Sequence, residues 1–131
     1  MHETLAIETA DQVETIDLTD RIESIVSSEA TDGTCTVFVP HTTAGIVVNE
    51  AERGLLGDVE SRLESLVPED AVYEHDRMDD NATAHLRSML LGSSVSIPVR
   101  DGGLALGTWQ SVLFFEGDGP RSRSVEVSIQ S

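Results

Sequence analysis

Residues 3–9, Glu-Thr-Leu-Ala-Ile-Glu-Thr, alternate between polar and apolar side chains, the period-2 pattern of a half-buried strand. Residues 12–18 alternate as well, with Val13, Ile16 and Leu18 as their apolar members. Ala10-Asp11 between the two runs predicts a hairpin. The period then changes. Ile22, Ile25 and Val26 fall on one helical stripe behind Thr19-Asp20, and Asp20 with Glu23 has the spacing of a capping box. Thr31-Asp32-Gly33 supplies the turn that stops this helix.

Residues 34–39 form a β-prone run ended by Pro40, and 45–49 predict the next strand across the short polar connection His41-Thr42-Thr43-Ala44. Leu55, Leu56, Val59, Leu63 and Leu66 return to helical spacing, stopped by Pro68. Residues 69–80 are acidic and irregular. Asp79 or Asp80 is placed to cap a third helix running to Leu91 and ended by Gly92, with Leu86, Met89 and Leu90 as its stripe. Thereafter the chain reads as all β: a strand at 95–99, a turn at 100–103, a long strand through Trp109 to Phe115, a turn at 117–120 and a strand at 124–129. Strands interleaved with three helices and ending in a meander predict an α+β fold, with mixed or antiparallel sheets in a sandwich-like core.

Composition narrows the class. A chain of 131 residues with 39% hydrophobic residues fits one domain spanning 1–131 with a core of its own. No apolar run approaches the ~20 residues of a membrane helix, and Met1-His2-Glu3-Thr4 lacks the features of a signal peptide. The expected location is the cytoplasm. The single Cys35 lies in a β-prone run and reads as buried and inert.

Charge changes the picture most. Twenty-four acids face eight basic residues, all Arg, for a net charge of −16. Such a surface repels phosphate backbones, which argues against nucleic-acid partners. It also repels itself, except at molar salt, where the screening length falls to about 3 Å. Acid excess together with the absence of Lys points to a high-salt cytoplasm, and removes Schiff-base chemistry and Lys phosphate clamps.

The remaining candidates for chemistry are few. His2 is terminal and reads as disordered. His41, His75 and His85 are 34 and 10 residues apart, which matches no local metal motif and leaves joint and separate roles open. His41 sits where a buried strand emerges, a common position for functional groups. Asn49-Glu50 follows an apolar run and reads either as a helix cap or as the lining of a cleft. Trp109 is expected in the core, with Gln110 on the opposite face. Arg121 and Arg123 share a face beyond a Gly-Asp-Gly-Pro turn, where they offset repulsion or hold an anion.

Four runs, taken in order, carry a resemblance. They are His41-Thr-Thr-Ala-Gly-Ile-Val-Val-Asn-Glu50; Asn81-Ala-Thr-Ala-His-Leu86 with Ser88-Met-Leu-Leu-Gly92; Ile97-Pro-Val with Asp101-Gly, Leu104 and Leu106-Gly-Thr-Trp-Gln110; and Asp118-Gly-Pro-Arg121. Together they resemble the YjbQ-type family, also called the secondary thiamine-phosphate synthase family, over nearly the whole chain. The resemblance implies a small α+β protein assembling as a homotrimer, with a metal, expected as Zn²⁺, held by His41, His75 and His85. It implies a transferase that joins a pyrimidine diphosphate to a thiazole phosphate. In that reading Glu50 or Asp80 acts as general base or orients a ligand, and Thr42, Thr43, Asn49, Gln110 and Arg121 bind substrate. The competing expectations are a non-catalytic trimer that binds a metal or a small anion, and a metal-dependent hydrolase.

Overall fold

The two N-terminal alternating runs do not pair with each other. In the computed structural model, which describes the backbone of residues 1–131 and every side chain except that of Arg77, β1 (His2–Glu8) and β2 (Glu14–Asp17) enter different sheets. β1 pairs with β8 (Ser122–Gln130), which pairs with β3 (Gly33–Phe38); β5 (Ser94–Arg100) and the short β6 (Gly103–Leu104) complete a five-stranded sheet. β2 pairs with β7 (Ser111–Glu116), which pairs with β4 (Ala44–Asn49), in a three-stranded sheet. Every pairing is antiparallel. The expected α+β class holds. The expected first hairpin and final meander do not, because β1–β2 and β7–β8 are connections that change sheets.

Period-2 alternation builds the core. Val37, Ile97, Val125 and Val127 of the larger sheet join Ile46, Val112 and Phe114 of the smaller one in a single buried cluster. Ile22, Ile25 and Val26 of the first helix, α1 (Thr19–Glu29), belong to the same cluster. Burial of each such side chain stabilises by roughly 1.5–3 kcal/mol. Cys35 is fully buried there, and burial, aided by the Glu23 charge, pushes its thiol up to about 11, which keeps it inert.

Several local expectations give way to tertiary contacts. No capping box forms at α1: Glu23 accepts from the Leu104 amide, while Asp17 accepts from the backbone and hydroxyl of Thr19. β7 begins only at Ser111, so Trp109 lies in a turn and is 73% exposed rather than in the core. His2 is ordered as the first residue of β1, its ring 2.6 Å from Glu126.

The second helix, α2 (Arg53–Leu66), is capped by Glu52, whose carboxylate accepts from the Gly54 and Leu55 amides. Of its apolar stripe only Leu63 is buried. The third helix, α3 (Ala82–Leu91), starts after Asn81 rather than on an Asp79 or Asp80 cap, and Asp76 accepts from the Ala82 amide. It also buries the face opposite to expectation: Ala82, Thr83, Ala84, Arg87 and Ser88 point inward, and Leu86, Met89 and Leu90 outward. The small Ala84 and Ser88 let α3 lie close to β4, while Arg87 donates to the Val67 carbonyl. Gly45 shows how close, since a Cβ there would come within 2.9 Å of the Gly92 carbonyl oxygen.

Candidate functional site

The end of β3 creates the site. Extended by two residues, its register with β8 would set Pro40 opposite Ser124. Proline has no N–H to offer that ladder and the strand stops. The ring of His41 takes the vacated place: its Nε2 lies 3.0 Å from the Ser124 amide nitrogen and 3.2 Å from the Ser124 carbonyl oxygen. A nitrogen lone pair is what the Ser124 N–H needs, so Nε2 accepts and Nδ1 carries the proton. Burial, with the nearby Arg123 charge, lowers the His41 pKa below its ordinary value, against a smaller upward pull from the Ser124 backbone and Glu116. His41 is therefore neutral at pH 7.

Behind His41 stands a buried ion pair. Glu116 is fully buried at the end of β7, and Arg123 of β8 donates to its two carboxylate oxygens through Nε at 2.8 Å and Nη2 at 2.5 Å. The same Nη2 donates to Thr43 Oγ1 at 2.8 Å, and Thr9 Oγ1 donates to Glu116 Oε1 at 2.9 Å. Burial pushes Glu116 up, but the hydrogen bonds from Arg123, the Asp118 amide and Thr9 outweigh it and hold the carboxyl below its usual range. Gly119 makes room for this arrangement, since a Cβ there would clash with the Asp11 carbonyl oxygen and crowd Glu116 and Thr9.

A second chain of hydrogen bonds starts from Asp118. Its Oδ2 accepts from Asn81 Nδ2 at 2.9 Å and from Arg121 Nη2 at 2.8 Å, and its carbonyl accepts from Arg121 Nε at 2.7 Å. Here too burial raises the carboxyl pKa, and the bonds from Asn81 and Arg121 bring it below the ordinary value. With Asn81 Nδ2 committed to Asp118, its Oδ1 accepts from His75 Nε2 at 3.0 Å. The His75 ring in turn meets the His85 ring edge to face, centroids 4.5 Å apart.

Both chains end at one open cleft of about 590 Å³. His41, Thr42, Thr43, His85 and Arg121 line it, as do Asn81, Asp79 and Arg123. His75 stands beside it, behind His85. The other expected site residues lie elsewhere. Asn49 and Glu50 line a separate cavity under α2. Asp80 is an exposed loop residue with φ +55°, and its neighbour Asp79 lines the cleft instead. Gln110 closes its own turn by accepting from the Gly107 amide. Glu116 and Thr9, which brace the cleft from behind, carry no motif. Their only sequence signal is an acid closing the apolar run Val112–Phe115, seven residues before an Arg in the next strand.

As placed, the three histidines do not form a zinc centre. Among the described residues no group of three or more His, Cys, Asp or Glu side chains is arranged to hold a metal ion. The His41 Nε2 lone pair is engaged by a backbone amide, and His75 and His85 contact each other through their rings.

The molecule is thus an α+β protein of two antiparallel sheets with a braced polar cleft at the end of β3. The chain belongs to the YjbQ-like UPF0047 family, whose model matches residues 3–131. A UPF0047 protein of Archaeoglobus fulgidus is 54% identical over 123 residues, covering 94% of this chain and 96% of that protein. The UPF0047 protein YugU of Bacillus subtilis is 38% identical and covers 98% of both. Among solved structures, a YbjQ-like protein of unknown function from Sulfolobus solfataricus superposes with a TM-score of 0.95 at 40% identity, over 98% of this chain and 95% of that one. A hypothetical protein of Aeropyrum pernix does so with 0.96 at 37%, over 100% and 98%. These relatives correct the expected activity. They are named without function, and nothing in them points to a thiamine-phosphate synthase or to a metal-dependent enzyme. No helix among the described residues is long and apolar enough to cross a membrane.

Proposed function

We propose that this protein binds a small polar molecule, one presenting hydrogen-bond acceptors, in the cleft beside His41. The carrying observation is the convergence of two fully partnered hydrogen-bond chains, Thr9–Glu116–Arg123–Thr43 and His75–Asn81–Asp118–Arg121, on that one opening. Side chains held this way offer donors at fixed positions with little ordering left for the ligand to impose. Of the donors at the opening, the Arg121 guanidinium is held by its chain and His41 by the Ser124 backbone, and Thr42 adds a hydroxyl beside them. Arg121 and Arg123 are each matched by a carboxylate, so hydrogen-bond geometry rather than net charge selects the ligand. The volume lies within the roughly 300–1,000 Å³ common for small-molecule sites.

Acetate and acetamide, added separately to ¹⁵N-labelled protein in molar salt, test this reading. Saturable shifts at Thr42, Asn81, His85 and Arg121, lost in His41→Ala, are expected for at least one probe. Shifts no larger than those given by added chloride would overturn it.

We also propose that three copies of the chain assemble as a homotrimer. Leu86, Met89 and Leu90 leave an apolar α3 face exposed, which contact between copies would bury. Met89 and His85 line a pocket together with His41, so a copy seated there borders the cleft. Light scattering should give three chain masses, reduced by Met89→Glu with Leu90→Glu; a single chain mass in the wild type refutes it.

A further inference from the structure

The His41 cleft and the single tryptophan stand at opposite ends of β7. Glu116 closes the strand and braces the cleft, whereas Trp109 lies in the turn just before Ser111, where the strand begins. A strand of this length spans roughly 20 Å, so Trp109 is beyond reach of the cleft in its own chain. Its indole is 73% exposed.

Charge sets this turn apart from the rest of the surface. No charged residue occurs between Asp101 and Glu116. From Asn81 to Val99 only Arg87 is charged, and it is buried beside Glu69. That second stretch carries the exposed Leu86, Met89 and Leu90 of α3. Leu66, Val72 and Met78 are exposed to a similar degree, but each has an acid within two residues. In a molecule of net charge −16, two copies repel wherever acids face each other, so contact falls where both surfaces lack charge. A three-fold ring joins two different patches head to tail, whereas a patch that meets itself gives a dimer. The α3 face therefore needs a counterpart elsewhere on the chain, and the uncharged Trp109 turn supplies it.

The α3 face also has a place for an indole. An open pocket of about 440 Å³ lies beside Met89, with the small residues Ala44, Ser88, Gly92 and Ser93 in its wall. A thioether against an aromatic ring is a favourable contact, and the Ser93 hydroxyl is an acceptor for the indole N–H. His41 and His85 line the same pocket.

We propose that Trp109 of one copy docks in this pocket of the next, so that the partner's Trp109 completes the side of the cleft next to His41 and His85. The inference rests on the homotrimer and adds which surfaces meet and which residue crosses between copies.

Because Trp109 is the only tryptophan, its fluorescence reads the contact directly. Emission, acrylamide quenching and light scattering are measured in molar salt on wild type, on Trp109→Glu and on Met89→Glu with Leu90→Glu. Wild type should have three chain masses and a blue-shifted indole shielded from acrylamide. Each variant alone should fall to one chain mass, and the α3 variant should emit to the red and quench freely. The decisive sample is a mixture of the two variants. One lacks tryptophan but keeps the α3 face, and the other keeps Trp109, so head-to-tail docking should give a two-chain complex and restore the blue shift. A wild-type trimer whose indole quenches freely, or a mixture of folded variants with no blue shift, overturns the docking and leaves the trimer standing. A wild type of one chain mass overturns both. Thermal melts check that each variant is folded, and wild-type quenching decides the matter if one is not.

Discussion

The cleft at His41 and the cavity beneath α2 meet opposite problems of burial. At the cleft a carboxylate and a guanidinium are almost entirely buried, and each is bonded on several sides. Beneath α2 the surroundings are hydrocarbon and a single hydroxyl stands without a partner. Burying charge is tolerable only with full pairing, so the cleft is a fixed frame in which removal of one member strands another. Apolar surroundings demand only volume, so the cavity tolerates changes that keep its size and shape. Position along the chain does not separate the two sites: β4 and β7 serve both, one face toward α2 and one end toward the cleft.

Breaking the frame should give the largest effect. Glu116→Ala leaves Arg123 buried and unpaired, and should destabilise the fold by about 3–5 kcal/mol in urea denaturation. The double change Glu116→Leu with Arg123→Met should recover most of that, while acetate and acetamide no longer shift the cleft signals. Opening the cavity comes next. Leu113→Ala enlarges an existing void and should cost about 2–4 kcal/mol, with the cleft signals unchanged.

The pH dependence near neutrality should follow the cleft, while in the acid range the exposed Glu126, held low chiefly by the Thr4 hydroxyl and also by His2, adds to it. His41 has a lowered folded pKa, so the unfolded chain binds its proton first, and stability falls as pH drops below about 6.5. Glu116 and Asp118 also have lowered folded pKa values; their contribution is complete above the ordinary carboxylate range and is lost as pH falls through the folded values. Stability measured from pH 8 to pH 3 should therefore decline in two stages. His41→Gln should remove the first, and Leu113→Ala should lower the whole curve without changing its shape. The smallest effect has the opposite sign. Thr15→Val should stabilise by about 1 kcal/mol by removing the buried, unpartnered hydroxyl, a gain that urea denaturation at pH 7 resolves.

The same contrast explains what the sequence made legible. Apolar periodicity located all three helices and most strands, because the period of burial is a local property. It could not say which sheet a strand joins, so β1 and β2 read as a hairpin although Ile16 packs with the smaller sheet. It also misjudged α3. Leu86, Met89 and Leu90 look like a core stripe, but α3 approaches β4 so closely that the small Ala84 and Ser88 face it instead. At the cleft, His41, Thr42, Thr43, His85 and Arg121 were legible from their runs. Glu116, Thr9 and their link to Arg123 join residues 107 and seven positions apart, which no local pattern records. Asn49 and Glu50, read as a helix cap or as the lining of a cleft, line the cavity under α2.

The claim on which the account rests is that the backbone of Ser124 holds His41 as a neutral donor facing the cleft. A long-range ¹H–¹⁵N spectrum of the histidine rings, followed from pH 8 to pH 4 in molar salt, tests it directly. The account predicts that His41 carries its proton on Nδ1 at pH 7 and titrates below 6.5. A proton on Nε2, or titration at or above 6.5, would contradict it.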